Sequence, residues 1–244
     1  MKKYMASCSC GKDSVAMIEM IIDTDMPLDE IVFAKVEKSF PQELEFMKLL
    51  INHWESKGIK CTVLETETTW DNWFYGKVTR GNSEGKKRGF PLTAFPCWWS
   101  REAKFKILDK YMKDNYRYIG IAFDEPKRYH EEKEKDGYLY PLVTEFRMTE
   151  RQCRAFCKKK GLLNPLYKYF DRLGCFLCPK QNKKSLKNLY KYFPEQWEEL
   201  KQYIKETNNN EFVSVNTFKP NFGYEQLLEI EQEVIEDSKQ LSMF

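Results

Sequence analysis

The chain has 244 residues, 42% of them hydrophobic and 32% charged, with a net charge of +3. These values exclude a disordered or fibrous chain and fit one large domain, or a domain with a smaller helical appendage. No stretch approaches the roughly 18 apolar residues of a membrane span, and the apolar run after Lys2-Lys3 is too short for a secretory signal, so a cytoplasmic protein with reduced cysteines is expected.

In chain order, residues 3–8 predict a strand and 13–22 a helix. The buried-strand run "EIVFAKV" (30–36) is followed by helical spacing over 41–57, with Leu44, Met47, Leu50 and Ile51 on one face. "IKCTVLET" (59–66) predicts a third strand, and 76–90, rich in glycine and charge, a mobile loop. A helix over 98–114 and a strand at 116–123 follow, then a short extended segment at 137–143. Thr149 with Gln152 reads as a helix start and Gly161 as its stop. Residues 181–192, 194–206 and 223–239 read as helices. Strands alternating with helices predict a Rossmann-like parallel α/β sheet of about five strands with helices on both faces. The expected division is 1–146, an α/β nucleotide-binding domain, and 147–244, a helical, cysteine-containing C-terminal region.

The stretch "SCSCGKDS" (7–14) falls where the first strand ends and the first helix begins. A helix start presents unpaired N–H groups and the positive end of its dipole, which makes it an anion site. Gly11 lets backbone approach closely, Lys12 adds a positive charge, and Ser9 and Ser14 add hydroxyls. Asp13 caps the helix or holds a metal ion. The spacing is not that of a Walker A loop.

This stretch resembles the PP-loop "SGGKDS" of N-type ATP pyrophosphatases, the adenine nucleotide alpha-hydrolase-like superfamily. "YIGIAFDEPKRY" (118–129) is similar to a stretch of phosphoadenosine phosphosulfate (PAPS) reductase-like proteins, matched at Gly120, Ile121, Glu125 and Arg128. Residues 140–179 look like the C-terminal half of the PAPS reductase-like proteins of phages and bacterial islands, so the resemblance covers about residues 3–180. It implies that Ser9, Gly11, Lys12, Asp13, Ser14, Gly120, Glu125 and Arg128 bind ATP or a related adenine nucleotide with Mg2+, and that Lys12 and Asp13 are catalytic. It also implies sulfur transfer, to nucleic acid or another acceptor, or sulfonucleotide reduction. Four departures stand out. Cys10 replaces the first loop glycine, Lys35-Val36-Glu37 replaces the family's Asp-Thr-Gly, Ala122 stands for an arginine, and the Glu-Cys-Gly-x-His tail with its reducing cysteine is missing. Cys10 and Ala122 favour the rival reading, a catalytically silent nucleotide- or nucleic-acid-binding module.

The Cys175-x-x-Cys178 bite fits two corners of a metal or cluster, and equally a dithiol redox pair. Iron–sulfur APS reductases resemble the arrangement, with a Cys pair preceding a C-x-x-C by about eighty residues. Here Cys97 holds the first position of that pair and Trp98 the second. Cys97, Cys157, Cys175 and Cys178 are the expected ligands of a 4Fe–4S cluster, with zinc, a metal-free thiol pair and structural thiols as alternatives. Cys157 is preferred over Cys153 as the one nearer the helix end. Cys8 and Cys61 are expected in the core, while Cys10 is open between a reactive thiol and a tolerated small residue. Arg101 and Lys104 lie on the next helix, where they either meet sulfate or phosphate oxygens or face solvent.

From Arg151 to Lys191 the chain carries twelve Lys/Arg against Asp171, interleaved with aromatics, whereas 224–237 is acidic. The basic block suits nucleic acid. The plainer reading is a surface that the acidic helix neutralises.

Overall fold

The computed structural model describes residues 2–241. They form two compact units. The first comprises the chain up to Val36, Pro41–Thr66 and Ala103–Tyr167; the second comprises Glu37–Phe40, Glu67–Glu102 and the described chain from Lys168. The division is discontinuous in sequence rather than a single cut at 146/147.

The elements run β1 (Tyr4–Cys8), α1 (Lys12–Asp23), β2 (Glu30–Lys35), α2 (Pro41–Glu55), β3 (Lys60–Glu65), α3 (Trp70–Phe74), β4 (Lys87–Gly89) and α4 (Trp98–Ser100). A π-helical turn at Arg101–Phe105 leads into α5 (Lys106–Tyr111), then β5 (Tyr116–Tyr118), β6 (Tyr138–Leu139), α6 (Pro141–Thr144) and α7 (Glu150–Lys159). The chain continues through α8 (Lys183–Tyr192), α9 (Pro194–Thr207), β7 (Val213–Val215) and α10 (Tyr224–Leu241).

The first unit is built on an all-parallel sheet in the order β3-β2-β1-β5-β6. Its strands alternate as the pleat demands. Ala6, Cys8, Ile31 and Phe33 pack with residues of α1, α2 and α7 on one face, while Met5 and Val32 meet Leu108 and Met112 on the other. Both faces are thus covered, as parallel sheets require. The start of α7 is the anticipated capping box, Thr149 with Gln152, and Gly161 follows its end at φ 72°. Packing of α7 on α1 is why residues 147–167 join the sheet unit.

A buried carboxylate ties these helices together. Glu19 is 1% exposed and accepts from Trp54 Nε1 (2.7 Å), with His53, Lys57 and Lys160 around it. Burial pushes its pKa up, but the Trp54 hydrogen bond and the neighbouring cations outweigh that and hold it below the usual carboxylate range. A depressed native pKa means stabilisation present above the unfolded pKa of about 4.3 and lost as pH falls through the native value. Glu19→Gln should destabilise the protein by roughly 3 kcal/mol at pH 7, with the difference from wild type shrinking below about pH 4. Urea melts at the two pH values test this; a constant difference would contradict it.

The second unit centres on aromatic rings. Trp70, Phe74, Phe90, Trp99 and Phe218 are buried, and Phe40 packs with Phe170, Phe176 and Phe193. Residues 76–90, expected as a mobile loop, pair as a hairpin. Val78 N donates to Lys86 O and Gly85 N to Val78 O (2.9 Å each), and β4 pairs in parallel with β7. The sequence pattern was obscured because the strand is three residues long and its tip turns at Gly81 and Gly85, both with positive φ.

Candidate nucleotide site

In the first sheet β2 and β3 lie on one side of β1, and β5 and β6 on the other. Open α/β sheets bind ligands at such a switch point, beyond the carboxyl ends of the strands. Residues 9–14 emerge there from β1, and Gly120 follows β5.

The loop is held by its own polar groups. Ser9 N donates to Ser14 Oγ (3.1 Å), and Ser14 Oγ donates to Gly11 O (3.0 Å). The left-handed position is Cys10, at φ 58°, whereas Gly11 is extended at φ −85°. Cys10 therefore adopts the conformation that a glycine takes without strain. Asn164 Nδ2 donates to its carbonyl (3.2 Å), and the side chain is 1% exposed. Gly120 has a different reason to be glycine: a Cβ there would lie 2.8 Å from Ser14 Cα and 2.9 Å from Ser14 N. The segment after β5 is pressed directly onto the first turn of α1.

Lys12 Nζ lies 2.9 Å from Asp13 Oδ2 and 2.6 Å from Glu150 Oε1. Burial pulls its pKa down, but the bonds to Glu150 and Asp13 outweigh that and keep it charged beyond its ordinary range. Burial raises Asp13, and Lys12 offsets this only in part. Asp13 Oδ1 is buried without a hydrogen-bond partner. Among the described residues, Asp13, Glu125 and Glu150 are the set whose ligand atoms all lie within 4.8 Å of one another. An oxygen-only donor set with one orphaned oxygen fits a hard divalent cation such as Mg2+. Glu150, at the start of α7, carried no sequence signal for this role, because chain distance hid its place beside Lys12. Tyr167 is a second residue the sequence reading missed: its hydroxyl accepts from Lys12 N (3.0 Å).

Glu125 is engaged by Arg128, whose Nη1 donates to Oε1 (2.5 Å), and it accepts from Ala122 N (3.3 Å). Lys104, also in this unit, faces Glu43, the Cys8 and Cys10 thiols and Arg128, and burial lowers its pKa. The neighbouring Cys8 thiol and burial together raise Cys10. Arg101 pairs with Glu102 (2.9 Å).

The expected cluster ligands are divided between the units. Cys157 is in the first, where its buried thiol donates to Lys12 O (3.2 Å) and burial pushes its pKa up to about 12. Cys97, Cys175 and Cys178 are in the second. A tetrahedral zinc site sets sulfurs about 3.8 Å apart; among the described residues these three thiols do not form such a set. Cys175 and Cys178 do come together. The Cys175 hydrogen bond, then the Lys180 N–H and the charges of Arg172 and Lys180, outweigh burial and lower Cys178 to about 6. Cys178 is therefore expected to be a thiolate at pH 7 and to alkylate with iodoacetamide along a titration centred near pH 6. Mass spectrometry of the modified peptide reads this; a midpoint near about 8.5, the value of an ordinary thiol, would contradict it.

The basic block is substantially paired. Lys183 and Lys187 bind Glu233, Lys187 also binds Asp237, and Lys160 binds Asp23. The acidic face of α10 thus neutralises part of 151–191.

Residues 3–80 match the family model of the phosphoadenosine phosphosulfate reductase domain. An uncharacterized protein of Methanocaldococcus jannaschii is 25% identical over 221 residues, covering 84% of this chain. The chain spans 42% of that protein's length. Among solved structures, the PAPS reductase of Candida auris in its phosphate complex is similar at 14% identity and TM-score 0.49, over 72% of this chain and 82% of that one. The U34-tRNA thiolase NcsA of Methanococcus maripaludis, with its 4Fe–4S cluster, is similar at 16% identity and TM-score 0.45, over 84% and 72%. No described helix is long and apolar enough to cross a membrane. The loop, its strand and its helix all lie inside the segment that matches the PAPS reductase domain model.

Proposed function

We propose that the first unit binds ATP or an adenylyl sulfonucleotide on the 9–14 loop, and that the protein is a PP-loop enzyme of sulfur transfer or sulfonucleotide reduction. The observation that carries this reading is the packing of Gly120 onto Ser14 at the sheet's switch point. It fixes the first turn of α1 with its amides and dipole directed beyond the sheet, where phosphate oxygens would be held. Lys12 adds a charge that strengthens as negative charge develops on a phosphoryl or leaving oxygen. Asp13, with Glu125 and Glu150, would hold Mg2+, which neutralises phosphate charge when bound. Lys104 and Arg128 supply further positive charge near the loop.

Cys175 and Cys178, which lie together, would supply two thiolates to a metal or iron–sulfur cluster, and the lowered pKa of Cys178 favours the ligand form. The retained loop geometry at Cys10 favours an active site over a silent module, because the left-handed residue is in place without its glycine.

The test supplies Mg2+ and ATP in one reaction, and adenylyl sulfate with dithiothreitol in another, to anaerobically purified protein. Pyrophosphate release in the first or sulfite release in the second is expected, with loss in Lys12→Gln. Nucleotide binding with neither product would replace the enzyme by a binding module.

A further inference from the structure

We infer that the hairpin of residues 76–90, with Tyr75 and Phe212 beside it, is a binding surface for single-stranded nucleic acid. It lies wholly within the second unit and shares no residue with the 151–191 block.

The hairpin carries Lys77, Arg80, Lys86, Lys87 and Arg88 against Glu84 alone. Lys77 and Lys87 sit directly opposite each other in its antiparallel bridge. Like charges facing across a pair weaken the pairing. Lys77, Arg80, Lys86 and Lys87 are exposed, and no ion pair of theirs is seen among the described residues. The cations of α8, by contrast, are matched by α10. A hairpin that holds unneutralised charge at a cost to its own pairing is suited to a polyanion.

The aromatic rings decide which polyanion. Phe212 is 73% exposed, and its carbonyl accepts from Lys87 N (2.9 Å), so the ring lies at the edge of the charged strand. Tyr75 is 37% exposed under the Lys87 ammonium, which is 5.5 Å from its ring centroid. The Arg88 guanidinium stands 4.8 Å over Trp73. Rings interleaved with cations stack unpaired bases while the cations follow the phosphates. A duplex keeps its bases stacked internally and offers no such faces. The neighbouring acids are Glu84 at the tip, Glu211, Asp71 near Tyr75, and Glu206, which accepts from the Tyr75 hydroxyl (2.5 Å).

The surface stands independently of the nucleotide site, and its failure is separable from that of the PP-loop reading. Fluorescence anisotropy with a fluorescein-labelled 12-nucleotide oligouridylate, titrated against salt, tests it. Wild type should bind with a log–log salt slope of about −2, corresponding to three or so phosphate contacts. The triple variant Lys77→Glu, Arg80→Glu, Lys86→Glu should bind at least about tenfold more weakly with a flatter slope, while keeping its melting temperature and its ATP affinity. Phe212→Ala should weaken binding about fivefold or more at unchanged slope, the signature of lost stacking. Lys183→Gln with Lys187→Gln should change little. Absence of wild-type binding, wild-type affinity in the triple variant, or equal affinity for a duplex of the same length would overturn the inference.

Discussion

Gly120→Ala is expected to weaken nucleotide binding about a hundredfold while leaving a folded protein. The added methyl would meet Ser14 Cα at 2.8 Å and Ser14 N at 2.9 Å, with Asp13 C at 3.1 Å. All three are backbone atoms, so no side-chain end can swing aside. Either the segment after β5 or the start of α1 must move, and both line the proposed phosphate site. Overpacking of this kind costs about 1–3 kcal/mol of stability. Affinity should fall more steeply, by about a hundredfold, because misplacing a site by an ångström is enough to forfeit that much. Thermal melts paired with ATP titration check the two effects; unchanged affinity in a destabilised variant would show that the close approach serves only packing.

Lys12→Gln is expected to weaken ATP binding at least about tenfold, a loss of roughly 1.4 kcal/mol or more. The substitution also removes the cation that now lies between Asp13 and Glu150. Three carboxylates would then face one another, and Asp13, already raised by burial, should rise further. Without nucleotide, added Mg2+ should therefore raise the melting temperature of the variant more than that of wild type. Equal response would mean that the carboxylates do not share a cation. Below the pKa of Asp13 the trio loses charge and the Mg2+ effect should fade, so the contrast is greatest near neutral pH.

The sheet was legible because its strands are apolar runs separated by amphipathic helices, and each of the five strands lies within a segment read as extended. The start of α7 was legible for a local reason, since Thr149 and Gln152 form a capping box within a single turn. The division into units was not legible. It depends on α7 packing against α1, a contact between residues far apart in sequence. The acidic set had the same difficulty: Asp13 and Glu125 stood out through their motifs, but Glu150 joins them only through the fold. Cys10 was readable as a problem, a side chain where glycine is usual, and the structure answers it with a buried residue in the left-handed region. The hairpin escaped because its pairing is set by backbone partners at Phe212 and Val213, which no local pattern announces.

Isothermal titration of the protein with ATP, with and without Mg2+, tests the central claim most directly. The account predicts saturable binding at one site, tightened by Mg2+ and weakened at least about tenfold in Lys12→Gln and further in Gly120→Ala. No binding in wild type, or equal binding in all three proteins, would contradict the assignment of residues 9–14 as a nucleotide-phosphate loop.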